Sequence, residues 1–263
     1  MKDIICIGMG YVGKATAHAF GIKNWYTRND KTIKSEEEIV NFKYIFVCLP
    51  TPTINGKQDI SAIEYYLEKF SGKDNIFIIR STVLPGTCRT LAGKYKANIV
   101  HVPEFLTEAT WKEDAEWPDI VVIGADNNKV RDEVVGIFKA RYKGASYFIT
   151  DTVTSEMIKY AINTFYSLKV VYSNSLFDLS NKIGANYETI KKACYARKWV
   201  TTNHFDIWHK GGRGAGNPCL AKDLQAFVSY SNLPLLQVAN ELNRELLIKY
   251  PKSETSREAK NGS

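Results

Sequence analysis

The chain has 263 residues, a formal charge of +7 and 44% hydrophobic residues, enough for one large domain or two small ones with a true core. No apolar run is long enough to span a bilayer, and the start MKDIICIGMG lacks the apolar region and cleavage site of a secretory leader. The positive charge forms no long basic tract, so it favours phosphorylated small molecules over nucleic acid.

Ile4-Ile5-Cys6-Ile7 is an apolar run ending at Gly8 and reads as a buried parallel strand. Gly13 to Phe20 reads as a helix packing through Ala15, Ala17 and Ala19. A second strand is expected over Asn24 to Asn29, ending at Asp30. Tyr44 to Leu49 is another buried strand, stopped by Pro50 and Pro52. Ile60 to Phe70 is an amphipathic helix. Asn75 to Arg80 is a strand, followed by a loop with Pro85 and Gly86. Asn98 to Val102 and Ile120 to Ile123 are further strands, Val130 to Phe138 a helix, and Tyr147 to Ile149 a last short strand. Strands alternating with helices predict an α/β fold, a Rossmann-type parallel sheet over residues 1–150.

The texture changes after Thr150. Val153 to Ile183 has no Gly or Pro, and Ile158, Ile162, Phe165, Leu168, Tyr172, Leu176, Leu179 and Ile183 recur at helical spacing. Asp151 or Thr152 suits its cap, Glu156 its first turn and Gly184 its end. A helix of roughly 45 Å leaves one domain and braces another, or a second subunit. Leu224 to Tyr250 is mostly helical again, broken near Pro234. Residues 151–250 therefore read as a smaller all-helical domain, and 251–263 as a disordered tail.

Cys6, Cys48, Cys88, Cys194 and Cys219 are odd in number and irregularly spaced. This predicts reduced thiols in a cytoplasm rather than a disulfide framework. No spacing suggests a metal site. Cys6, Cys48 and Cys88 lie in apolar surroundings and read as core. Cys219 does not: it stands in a flexible loop, GGRGAGNPCLAKD (residues 211–223), where glycines suggest that something approaches the backbone closely.

Gly8-x-Gly10-x-x-Gly13, placed between a strand and a helix, is a dinucleotide signature. Its glycines let backbone N–H groups and a helix N-terminus approach a pyrophosphate, with Tyr11 and Val12 inside the turn. Asp30, at the end of the next strand, would accept from the adenosine ribose and favours NAD. Arg28 nearby could instead meet a 2′-phosphate, which leaves NADP open.

Six stretches carry a wider likeness: GMGYVG (8–13), LPTPT (49–53), STVLPGT (81–87), PEFLTE (103–108), EMIKYAINTFYSLKVVYSN (156–174) and GAGNPCLAKD (214–223). In this order they resemble the nucleotide-sugar dehydrogenases, almost throughout the chain to about Asn243. The resemblance implies a homodimer through the long helix and four-electron oxidation of a sugar primary alcohol to a carboxylate. It makes Cys219 the nucleophile, which carries a thiohemiacetal and then a thioester. Asp223, one helical turn on, would serve as base. Lys159 would stabilise the developing alkoxide, and Asn163 would donate to the same oxygen or hold water. Glu108 and Thr82 would position the hydrolytic water, and Glu104 would bind substrate or tune the site. Phe105, Leu106, Gly214 and Gly216 would contact the substrate, and Pro50, Thr51 and Thr82 the cofactor. Lys222 is open between a phosphate contact and a surface lysine.

The chain also departs from that pattern. The segment between Asp30 and Tyr44 is short, so a helix and strand near the cofactor cleft look trimmed. A third, nucleotide-gripping domain is expected to be missing. Arg80 replaces a usual lysine, Ser175 a usual glutamate, and Asn217-Pro218 a usual Gly-Ser. A changed substrate, a cofactor-binding protein without turnover and a two-electron hydroxyacid-type dehydrogenase are the alternatives.

Overall fold

The structure, a computed structural model, describes residues 3–72, 74–107, 110–198, 200, 204–216 and 218–252. The chain forms two compact units, Met1–Lys159 and Tyr160–Ser263.

The first unit is built on strands β1 (Ile4–Ile7), β2 (Trp25–Tyr26), β3 (Tyr44–Val47), β6 (Ile76–Ile79), β7 (Asn98–His101), β8 (Ile120–Gly124) and β9 (Ser146–Thr150); β4 (Thr53–Ile54) and β5 (Lys57–Gln58) form a separate hairpin. The sheet order is β2-β1-β3-β6-β7-β8-β9. All pairs are parallel except β7–β8, joined antiparallel at His101 and Gly124. The strands are continuous apolar runs because both faces are covered. On one face Ile4, Cys6, Phe46, Ile78 and Val100 pack with Ala15, Ala19 and Phe20 of α1 (Tyr11–Phe20) and Val134 and Phe138 of α5 (Asn128–Arg141). On the other, Ile5, Ile7, Ile45, Phe77 and Ile79 pack with Ile63, Leu67 and Phe70 of α2 (Ser61–Phe70) and Cys88 and Leu91 of α3 (Thr87–Tyr95).

Several boundaries differ from the sequence reading. The second strand is only Trp25–Tyr26, and Asp30 does not end it. The polar run Thr27–Asp30 closes a tight turn instead: Thr27 N donates to Asp30 O (2.8 Å), Asp30 N donates to Thr27 Oγ1 (2.8 Å), and Tyr26 bridges Lys31 antiparallel. Between Asp30 and Tyr44 the one helical element is a 3-10 helix, Glu36–Asn41. The loop with Pro85 and Gly86 is present, and two helices without an expected counterpart follow it: α3 directly after, and a short α4 (Trp111–Glu116) before β8. Helix α3 starts at Gly86, with φ +93°. Its first N–H groups find a remote acceptor, as Gly86 N and Cys88 N donate to Glu156 at 2.6 and 2.7 Å. Glu156 is therefore a buried cap for another helix, and burial pushes its carboxyl above the usual range.

Helix α6 (Thr152–Ile183) begins in the first unit and continues into the second. Asp151 caps it, accepting from Thr154 N (3.1 Å), and Gly184, at φ +76°, ends it. In the second unit it is joined by α7 (Tyr187–Ala196), α8 (Pro218–Ser231) and α9 (Pro234–Lys249). The break near Pro234 lies between α8 and α9, with Pro234 at the first position of α9, where its missing N–H costs nothing. Tyr160 is fully buried and stacks on Phe227 of α8, centroids 5.0 Å apart. The buried face of α6 carries Ser167, Ser173 and Ser180, each hydroxyl donating to the carbonyl four residues back. Phe165 (54% exposed), Tyr172 (58%) and Leu179 (50%) stand on the outer side. Of the predicted tail, residues 253–263 lie outside the described residues.

Candidate active site

In the first unit the strand order reverses between β1 and β3, and the glycine turn stands at the carboxyl end of β1. This is where open α/β sheets bind ligands. Gly8 and Gly13 each answer a particular steric demand. A Cβ on Gly8 would lie 2.5 Å from Cys48 O, and one on Gly13 would lie 1.8 Å from Gly8 O. Gly10 faces open space instead, with nothing within 4 Å of a Cβ. No side chain caps α1, which begins immediately after it. These features fit a pyrophosphate: the turn is tight, and the helix N-terminus is open to an anion.

Around this turn, Thr51 Oγ1 donates to Thr82 O (2.7 Å) and Gln58 Nε2 donates to the same carbonyl (3.0 Å). Ser81 Oγ donates to Leu49 O (2.7 Å), with Pro50 following it in the chain. Thr51 and Thr82 are thus buried and tied together; Gln58 bonds to Thr82 as well, and Ser81 holds Leu49 just ahead of Pro50, two contacts with no sequence signal. Tyr11 is partly exposed, its hydroxyl donating to Thr107 O (2.6 Å), and Val12 packs against the core. Asp30 is exposed and accepts from Trp25 Nε1 (3.1 Å).

The same unit holds a buried ion pair. Lys159 Nζ donates to Glu104 O (2.5 Å), lies 3.3 Å from Glu104 Oε1, and sits 5.1 Å from the Phe105 ring centroid. Glu104 Oε2 accepts from Leu106 N (2.6 Å). Burial alone would raise the Glu104 carboxyl, but the Lys159 ammonium, the Leu106 N–H and the Arg80 charge outweigh it and hold the group below its ordinary value. Beside them His101 is fully buried, with Nδ1 2.8 Å from Ser155 Oγ; burial pushes its pKa down to about 3, so the ring is neutral. Glu108 lies outside the described residues.

The second unit holds the other group. Cys219 is exposed and lies in the first turn of α8 rather than in a loop, a correction to the sequence reading. One turn on, Asp223 is 1% exposed. Asn163 Nδ2 donates to its Oδ2 (2.7 Å), and Lys222 Nζ lies 2.5 Å from its Oδ1. Lys222 is thus an ion-pair partner of Asp223.

What comes close to the glycine-rich loop is helix α9. A Cβ on Gly214 (φ +89°) would lie 3.0 Å from Asn243 Oδ1, and one on Gly216 would lie 2.6 Å from Leu247 Cδ2. Asn243 accepts from Ala215 N (2.7 Å). Arg213 is 2% exposed; it donates to Asn174 Oδ1 (2.9 Å) and pairs with Asp178 (2.8 Å). The only signals for these anchors were a lone arginine among glycines and an asparagine on an otherwise apolar helix face. Asn217 lies outside the described residues.

Residues 26–141 match the UDP-glucose/GDP-mannose dehydrogenase family, NAD binding domain, and residues 153–245 match that family's central domain. The chain belongs to this family, and its cofactor is NAD. It is 34% identical over 200 residues to a UDP-glucose 6-dehydrogenase of Rickettsia felis, covering 72% of this chain and 44% of that protein. It is 32% identical over 224 residues to one of Rickettsia bellii, covering 80% and 51%. It thus spans about half the length of the curated relatives it matches. Among solved structures, a UDP-glucose dehydrogenase from Pyrobaculum islandicum has the same fold, with a TM-score of 0.81 at 21% identity, covering 92% of this chain and 68% of that one. Among the described residues no helix is long and apolar enough to cross a membrane, and no side-chain group could hold a metal ion.

Proposed function

We propose that the chain oxidises the primary alcohol of a nucleotide sugar to a carboxylate, in two NAD-linked steps through Cys219. The observation that carries this reading is the exposed Cys219 thiol in the first turn of α8, one turn ahead of a buried carboxylate held by Asn163. The UDP-glucose 6-dehydrogenases it resembles give the substrate class.

NAD, when bound, supplies the hydride acceptor for each oxidation. The chain's residues do the rest. Asp223 takes the alcohol proton, while Lys159 and Asn163 steady the developing alkoxide. Cys219 Sγ then adds to the aldehyde carbon, giving a thiohemiacetal that retains a hydrogen on that carbon. Loss of that hydrogen as hydride, with the hydroxyl proton passing to base, leaves a thioester on Cys219. Water, positioned by Glu108 and Thr82 and deprotonated by Asp223, cleaves it and releases the acid and the thiol. The first turn of a helix suits this sulfur because unpaired backbone N–H groups favour negative charge there.

The glycine turn holds the pyrophosphate, Pro50, Thr51 and Thr82 line the cofactor's path, and Asp30 meets the adenosine ribose. Glu104, Phe105, Leu106, Gly214 and Gly216 contact the sugar substrate. The outer side of α6, around Phe165, Leu168, Tyr172 and Leu176, is the homodimer interface; the exposure of Phe165 and Tyr172 supports this. The location is cytoplasmic, which the buried thiols Cys6, Cys48 and Cys88 support.

The test is a panel of nucleotide sugars with NAD and NADP, followed at the reduced-nicotinamide absorbance band. The expected stoichiometry is two reduced nicotinamides per acid released. Cys219→Ser should bind cofactor normally and stall after the first oxidation, or hold a slowly cleaved ester. Unchanged turnover and stoichiometry in that variant would remove the thiol from the mechanism and favour a two-electron dehydrogenase.

A further inference from the structure

Arg80 is 9% exposed, its Nε is buried without a hydrogen-bond partner, and it forms no ion pair among the described residues. A buried guanidinium nitrogen left without a partner is rare and calls for a reason. Its place in the fold supplies one. Arg80 N donates to Val47 O (2.9 Å), so the residue extends β6 at its carboxyl end. Side chains alternate along a strand. Ile76 and Ile78 belong to the core beneath α1, whereas Phe77 and Ile79 pack on the opposite face. Arg80 therefore shares the face of the sheet that carries α1 and the glycine turn. Its charge acts on Cys6 and Cys48, the thiols below that turn, and on Glu104. Cys6 Sγ lies 3.5 Å from Gly8 O.

The ionised groups nearby do not cancel it. Glu104 is matched by Lys159 at 3.3 Å, and His101 is neutral. One largely buried positive charge is left over at the carboxyl end of β6. In a doubly wound sheet the half carrying the glycine turn takes the adenosine side of a dinucleotide, and the half beyond the switch point takes the nicotinamide side. Strand β6 lies in the second half. The oxidised nicotinamide ring is a cation and the reduced ring is neutral. A fixed, largely buried positive charge acts over several ångströms and weighs against the oxidised ring alone.

We propose that Arg80 is a positioning charge for redox preference: it makes this chain bind the reduced cofactor more tightly than the oxidised one, so that the bound pair is a stronger hydride acceptor. The proposal rests on the NAD-binding domain and not on which alcohol is oxidised, so it stands or falls apart from the substrate assignment.

The test is equilibrium binding of NAD and NADH to the full chain, by titration calorimetry and by fluorescence of the reduced ring, with no substrate present. Wild type is expected to hold NADH about tenfold more tightly than NAD. Arg80→Met, similar in length and uncharged, should shrink that ratio about tenfold by tightening NAD, with NADH affinity changed by less than about twofold. Arg80→Lys should keep the wild-type ratio. A merely structural arginine would weaken both forms together in Arg80→Met, and that result overturns the proposal. So does a wild type that binds both forms equally, a measurement that needs no variant to fold.

Discussion

The two units hold their buried polar groups by different means. In the first, Lys159 and Glu104 form a sealed ion pair, side chains 5% and 10% exposed, with the remaining carboxylate oxygen taken up by Leu106 N. In the second, Asp223 is tied to a neutral amide, Asn163, and to Lys222, whose side chain is 27% exposed. A sealed pair is costly to break because the surviving charge stays buried. A carboxylate bonded to an amide, and to a lysine that water also reaches, leaves no sealed charge behind when one partner is removed. The pairing in the first unit is closed to water, and that in the second is open to it on the Lys222 side.

The largest expected effect comes from breaking the sealed pair. Lys159→Met should cost roughly 3–5 kcal/mol by urea unfolding, because Glu104 is left buried and unpaired. Asp223→Asn should cost only about 1–2 kcal/mol, since the amide oxygen still accepts from one of the two donors and Lys222, 27% exposed, can turn to water. Equal losses would erase the distinction between the units.

Acid should act on both units, through one histidine in each. Burial chiefly holds His101 neutral down to about 3, and burial with the Lys169 charge holds His204 neutral down to about 4. In the unfolded chain these rings protonate near 6.5. Below that pH the unfolded state binds protons that the folded state refuses, so stability falls as pH drops. Each ring contributes a slope of about 1.4 kcal/mol per pH unit until its folded value is reached. His101→Gln should remove about half of the loss between about pH 6.5 and 5. Urea midpoints at those two pH values measure it, and an unchanged slope would show that His101 is not held neutral.

The smallest effect belongs to the glycine loop. Gly214→Ala meets a positive φ and Asn243 Oδ1 at 3.0 Å, and should cost about 1–2 kcal/mol. The first unit's NAD affinity should not change, which titration would check.

Much of the fold was legible because its signals are local. Apolar runs such as Tyr44–Leu49 report a strand buried on both faces, and the three- and four-residue stripe from Ile158 to Ile183 reports a helix; both elements appear, the strand over Tyr44–Val47 and the helix over Thr152–Ile183. The glycine turn was legible for the same reason. The second strand is shorter than its sequence pattern suggests because Thr27 and Asp30, through side chain and backbone, close a turn between themselves instead of continuing it. Cys219 was placed in a loop because the glycines before it masked the helix that begins at Pro218.

By itself, the sequence determined which residues are core, where chain direction must reverse, and that Lys159 and Asn163 stand one turn apart on one helix, since each depends on spacing of a few residues. Only the tertiary structure decided the partners: Glu104 for Lys159, Asp223 for Asn163, Glu156 for the start of α3, helix α9 for Gly214, and, among the described residues, none for Arg80 Nε. The bonded pairs join residues 28 to 70 positions apart in places where hydrogen bonding and burial, not local propensity, set the energy, so no periodicity records them.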